Sequence, residues 1–155
     1  MERLKSHREF TAVLRRRKRV SSRDIVLHLL TGDEAANNRR PSQDGSETRG
    51  RRMGLAVSKA VGKAVTRNRV KRRFRAVAAR HEADLPQSCD LVIRAKPSAA
   101  HASFASLDMQ VAKLFKDVAL RANETHQHAP QHSQGVHKQQ LQGSRQPTQQ
   151  TGGQV

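Results

Sequence analysis

Residues 54–81 read GLAVSKAVGKAVTRNRVKRRFRAVAARH, and the two halves of this stretch follow two different periods. Met53, Leu55 and Val57 alternate with Gly54, Ala56 and Ser58, which predicts a strand with one bulky face and one smooth face. A smooth face lets another element pack close. The second half follows a helical period instead: at 100° per residue, Val70, Phe74, Val77, Ala78 and His81 share an arc of about a third of the circumference. Asn68, Arg69, Lys71, Arg72, Arg73, Arg75 and Arg80 fill the remainder, with Arg67 at the border. Gly62 punctuates the turn between the halves and marks a place where backbone geometry matters. A lone Gly lacks the spacing of a phosphate-binding P-loop.

Charge decides what the helix is for. Between Arg49 and Arg80 stand twelve cations and no acid: Arg49, Arg51, Arg52, Lys59, Lys63, Arg67, Arg69, Lys71, Arg72, Arg73, Arg75 and Arg80. The flanking acids are Glu47 and Glu82, so internal ion pairs cannot neutralise the run. A solvated helix face ordinarily mixes Lys with Glu at spacings of three and four, because like charges there cost a few tenths of a kcal/mol per pair. A single-sign face points to an external polyanion.

Upstream, Ser6-His7-Arg8-Glu9 fits a capping box, and Phe10, Val13 and Leu14 form a one-sided apolar stripe behind it. Arg15, Arg16, Arg17, Lys18 and Arg19 crowd the C-terminal end of that helix, where its dipole favours cations. Val20 to Leu30 reads as one strand, with Ile25, Leu27 and Leu29 on one face and Val26, His28 and Leu30 on the other. Residues 31–50, TGDEAANNRRPSQDGSETRG, read as a flexible loop to which no function is assigned.

Downstream, Pro86 closes the helical pattern, Asp90 to Ala95 form a short strand, and Pro97 stops it. Ser103 is placed to cap a last helix whose Phe104, Leu107, Val111, Leu114, Phe115 and Val118 make a core stripe. Residues 123–155 are rich in Gln, His, Ser and Gly and predict a disordered tail beside one domain over 1–122. His126, His128, His132 and His137 lie in that low-complexity tract and define no metal site.

The 155 residues carry a formal charge of +17, no Trp, no Tyr and four Phe, so the core is aliphatic and the partner anionic. No apolar run reaches the about 20 residues of a membrane span, and MERLKSHREF has no signal-peptide h-region, which predicts a cytoplasmic protein without a membrane partner. Cys89, the single cysteine, reads as packing in a reducing compartment.

Lys59-Ala60-Val61-Gly62-Lys63-Ala64-Val65-Thr66-Arg67-Asn68-Arg69-Val70-Lys71-Arg72, followed by Arg75, resembles the signature of the bacterial ribonuclease P protein subunit, an RNR-type motif opening a basic helix. The resemblance runs from about Leu4 to about Arg121 and leaves the tail uncovered. It implies an α+β fold of the ribosomal protein S5 domain 2-like kind, a small mixed sheet packed with helices in the order αβββαβα, with a left-handed crossover around the basic helix. The residue patterns themselves mark three strands.

The resemblance also implies a division of labour. An RNA subunit, using bound Mg2+, cuts the phosphodiester bond that releases the 5′ leader of precursor tRNA, and the protein binds both that catalytic RNA and the leader. Lys59, Lys63, Arg67, Asn68, Arg69, Lys71, Arg72 and Arg75 fall on the RNA-binding motif. Phe10 matches an aromatic position of a leader-binding cleft, and Leu14 and His28 stand where that family usually has aromatics. The resemblance gives the protein itself no catalytic residue and no bound cofactor. In agreement, the thirteen acids are scattered, with no carboxylate cluster suited to two-metal chemistry. From the residues alone, a ribosomal or RNA-chaperone protein shares the basic surface but need not carry the ordered motif. A DNA-binding protein using Arg67 to Arg75 as a recognition helix would need a helix-turn-helix partner that the sequence does not show, so no DNA is expected.

Overall fold

The computed structural model describes residues 1–16, 18–39 and 50–127. Five strands, β1 (Glu2–Arg3), β2 (Arg19–Ser21), β3 (Ile25–Thr31), β4 (Arg51–Ala56) and β5 (Cys89–Ala95), form one mixed sheet in the order β1-β4-β5-β3-β2. β4 runs parallel to β1 and β5, while β3 is antiparallel to β5 and β2. Four helices complete the α+β fold: α1 (His7–Arg15), α2 (Gly32–Asn37), α3 (Ala64–Arg80) and α4 (Phe104–Gln127).

Strand alternation gives the sheet two different faces. Ile25, Leu27, Leu29, Leu91 and Ile93 pack with Val70, Phe74 and Val77 of α3 and Leu107, Val111, Leu114 and Phe115 of α4. The opposite face meets α1 through Leu4, Val13, Leu30 and Val92, with Phe10 and Leu14 half-buried beside them. Of the predicted apolar arc, Val70, Phe74, Val77 and Ala78 of α3 are fully buried, while His81, at the C-cap, is half-buried beside Asp108. Cys89 is buried as well, and that burial pushes its thiol up to about 12, so it is packing and not a nucleophile.

Local signals set the helix ends. Glu9 N–H donates to Ser6 Oγ at 3.1 Å while Ser6 N–H donates to the Glu9 carboxylate at 3.1 Å, completing the capping box. Ser106 N–H donates to Ser103 Oγ at 3.1 Å at the start of α4.

Four features differ from the sequence reading, the first being β1, which precedes α1 and pairs with β4 although the expected order αβββαβα begins with a helix. The run from Val20 to Leu30 is two strands, β2 and β3, because the polar Ser22-Arg23-Asp24 segment turns, with Ser22 N–H donating to the Ile25 carbonyl at 2.8 Å. Gln110 of α4 holds the turn, accepting from Ser22 Oγ at 2.6 Å and donating to Asp24 at 2.6 Å. Within the segment read as a flexible loop, 31–50, α2 forms with Asp33 and Glu34 in its first turn, where the helix dipole favours acids. α4 continues through Gln127, past the boundary drawn at 123. Residues 40–49 of the loop and 128–155 of the tail lie outside the described residues.

Candidate nucleic-acid interface

A 3-10 turn, Lys59–Val61, leads from β4 to Gly62, whose φ of 143° lies where only glycine is at ease. That geometry turns the chain into α3, and Lys63 at the N-cap offers no side-chain cap to the first-turn N–H groups. Lys59, Lys63, Asn68, Arg69, Arg72 and Arg75 are exposed, while Arg67 and Lys71 are half-buried along the margin of the core. Spacing by four places Arg67, Lys71 and Arg75 on one stripe and Asn68 with Arg72 on the next. Among the described residues, no carboxylate forms an ion pair with Lys59, Lys63, Arg67, Arg69, Lys71, Arg72 or Arg75. The field of this face is therefore uncompensated.

The basic residues are not all equivalent. Arg73 Nη1 donates to the Ala102 carbonyl at 2.8 Å, and Arg69 Nη2 reaches the Ala100 carbonyl at 3.4 Å, so both lean toward the segment before α4. Arg80 pairs with Asp108 at 3.5 Å, and His81 Nε2 lies 3.0 Å from the same carboxylate, which fastens α3 to α4. Arg67 Nε is buried without a hydrogen-bond partner.

The three predicted cleft residues gather on the other face of the sheet. Register aligns Arg19, His28, Val92 and Gly54 in one row across four strands, with Ser21, Val26, Arg94 and Ala56 in the next. Phe10 and Leu14 flank this surface from α1. A β-carbon on Gly54 would lie 2.7 Å from two carbons of the Phe10 ring, so the smooth face of β4 is what admits α1. His28 is 5 % exposed, and neither ring nitrogen has a hydrogen-bond partner. Burial, then Arg19 and Arg94, push its pKa below the ordinary histidine value against an opposing influence of the Arg16 backbone, and the imidazole is neutral at physiological pH.

A buried ion network positions α1 over that surface. Arg52 makes a bidentate pair with Asp90, Nε to Oδ1 at 2.8 Å and Nη2 to Oδ2 at 2.6 Å, and its Nη1 donates to Glu9 at 2.7 Å. Asn38, just past α2, donates to Asp90 at 2.9 Å and to the Glu9 carbonyl at 3.2 Å. Burial alone would raise Glu9, but bonds from Arg52 and Ser6 outweigh it and hold the carboxyl below its usual range. Burial likewise opposes the charged form of Arg52, and the two carboxylates more than offset it, raising its pKa. Sequence reasoning found Glu9 as a cap and missed this second role. The Arg52–Asp90 pairing follows from register between strands that are distant in sequence.

Among the described residues, no group of three His, Cys, Asp or Glu side chains is placed to hold a metal ion, and no helix is long and apolar enough to cross a membrane.

One face of the α+β sheet carries α1 and the other carries α3 and α4, and the cations Arg67, Arg69, Lys71, Arg72 and Arg75 of α3 pair with no carboxylate among the described residues, the surface of a polyanion-binding protein. The family model described as Ribonuclease P matches residues 1–119, and the chain belongs to the ribonuclease P protein family. It is 43 % identical over 105 residues to the ribonuclease P protein component of a Nocardioides strain, covering 68 % of this chain and 80 % of that one. It is 44 % identical over 110 residues to the corresponding Corynebacterium jeikeium protein, covering 68 % and 84 %. Among solved structures, the fold resembles the Staphylococcus aureus RNase P protein, with a TM-score of 0.61, 21 % identity, and 76 % and 95 % of the two chains covered. The Thermotoga maritima RNase P protein matches with a TM-score of 0.60 at 21 % identity, covering 76 % and 97 %.

Proposed function

We propose that the protein binds the catalytic RNA of ribonuclease P and the 5′ leader of precursor tRNA, and that the RNA, with Mg2+, performs the cleavage. Lys59, Lys63, Arg67, Asn68, Arg69, Lys71, Arg72 and Arg75 neutralise and position phosphates of the catalytic RNA. Phe10 and Leu14, half-buried on α1, line the surface that takes the single-stranded leader, and His28 supports it from its buried place on the same face of the sheet. The observation that carries this reading is the face of α3 on which Arg67, Arg69, Lys71, Arg72 and Arg75 pair with no carboxylate among the described residues. Its positive charge substitutes for part of the metal screening needed to bring two polyanions together.

Reconstitution with a bacterial ribonuclease P RNA tests the reading. The protein alone cuts no precursor tRNA, and adding it to the RNA lowers the magnesium requirement and favours substrates that carry a leader. Cleavage by rigorously RNA-free protein, abolished by changing one Asp or Glu, would overturn the assignment.

A further inference from the structure

The side of α3 that faces β4 encloses a second feature. Lys71, Arg75 and Ala79, four residues apart, run along one wall of a groove of about 250 Å³, and Met53 and Leu55 of β4 form its floor. Arg3 of β1, in register with Met53, closes the far rim. The groove exists because α4 packs over β3 and β2 and leaves the β4 side of this face open, so Met53 and Leu55 are only partly buried. Glu2 also lines it, but its carboxylate lies 3.0 Å from Lys5 Nζ. Among the described residues, Arg3, Lys71 and Arg75 have no carboxylate partner.

An apolar floor under a cationic rim selects a ligand with a flat apolar body and an anionic appendage. The volume is below the about 300 Å³ at which pockets for drug-sized ligands begin, which suits one nucleotide and not a folded segment. We infer that this groove holds a single unpaired nucleotide of the RNA partner, its base on Met53 and Leu55 and its phosphate between Lys71 and Arg75. The inference rests on the RNA-binding role proposed above and adds a base-sized contact to a surface otherwise made of phosphate contacts. Polarisable methionine suits such a contact because it adapts to different base shapes.

The test uses the full chain and two probes, adenosine 5′-monophosphate and ribose 5-phosphate. The nucleotide shifts the methyl resonances of Met53 and Leu55 saturably, and ribose 5-phosphate does not. Ala79 is exposed, so Ala79→Leu fills the groove without touching the core or the charge. It abolishes the nucleotide-specific shifts and weakens binding of the catalytic RNA about fivefold, the lower end of one base contact. Ala105→Leu, the same addition at an exposed position of α4, changes neither. Equal responses to the two probes, or an Ala79→Leu protein that binds the RNA like the parent, would overturn the inference. A parent protein that fails to bind the catalytic RNA removes the functional reading instead, and the nucleotide probe still decides whether the groove takes a base.

Discussion

The Phe10 ring occupies the space that a side chain at position 54 would need, with two ring carbons 2.7 Å from where a β-carbon of Gly54 would stand. Helix α1 is thereby seated on β4 by the absence of an atom. Gly54→Ala must displace the ring or the helix and should destabilise the fold by about 1 to 3 kcal/mol, as overpacking does. Chemical denaturation measures it. Gly54→Ala added to a Phe10→Ala protein should cost much less, and equal cost in both backgrounds would refute the contact as the cause.

Arg52 stands between two carboxylates in a site with almost no solvent. Arg52→Met leaves Glu9 without an ion-pair partner and Asp90 with only Arg39, 3.7 Å away, and the expected loss is about 3 kcal/mol. Asp90→Asn within the Arg52→Met protein should recover part of that loss. A single substitution that leaves the denaturation midpoint unchanged contradicts the network.

Acid should unfold the protein through two carboxylates, Glu9 and Asp24. Glu9 and Asp24 both titrate below their ordinary values of 4.5 and 3.8, Asp24 because bonds from Ser98 and Gln110 and the charges of Arg23 and Lys96 outweigh its burial. A lowered folded pKa means the unfolded chain binds more protons, so this stability is complete above the ordinary values and disappears as pH falls through the folded ones. Stability measured between pH 6 and pH 3 should fall less steeply in Glu9→Gln than in the parent, on the order of one proton fewer taken up on unfolding.

On the α1 face of the sheet, Leu14 stands half-buried beside Phe10, whereas His28 is buried with neither ring nitrogen hydrogen-bonded. Leu14→Phe therefore supplies a second ring for stacking where a base can reach it, so affinity for leader-bearing substrate should rise about fivefold or more. Leaderless tRNA serves as the comparison. An equal gain for both substrates places the effect outside the cleft.

Arg67→Ala and Arg72→Ala should each weaken binding of the catalytic RNA and lower the salt slope by about one phosphate contact. Arg72 is exposed, and its loss should leave the melting temperature in place. Arg67 is half-buried, so its variant needs a stability measurement beside the binding curve. Unchanged affinity and slope in both would remove these residues from the interface.

What the sequence made legible was local. The apolar arc of α3, the Ser6–Glu9 capping box, the Ser103 cap and the core stripe of α4 each lie within one or a few turns, where periodicity and capping chemistry act directly. The small residue at Gly54 announced a close approach without naming Phe10 as its partner. The rest depended on separation along the chain. Arg52 meets Asp90 only through the parallel register of β4 and β5, and the groove arises where β1 joins the sheet, a pairing of two residues with no periodic signal of its own. Arg19 and Arg94 reach the His28 surface by cross-strand alignment, which the alternation within each strand does not disclose.

The cations of α3 repel one another whenever no polyanion is present, and no carboxylate of the described fold pairs with Arg67, Lys71, Arg72 or Arg75. The isolated protein therefore stores electrostatic strain that its partner relieves, and the folding equilibrium and assembly share one thermodynamic cycle. Added salt should act on the two halves of that cycle in opposite directions, raising the melting temperature of the free protein while weakening its hold on RNA. At the salt concentration where RNA begins to dissociate, the released protein is screened by the same ions that displaced it.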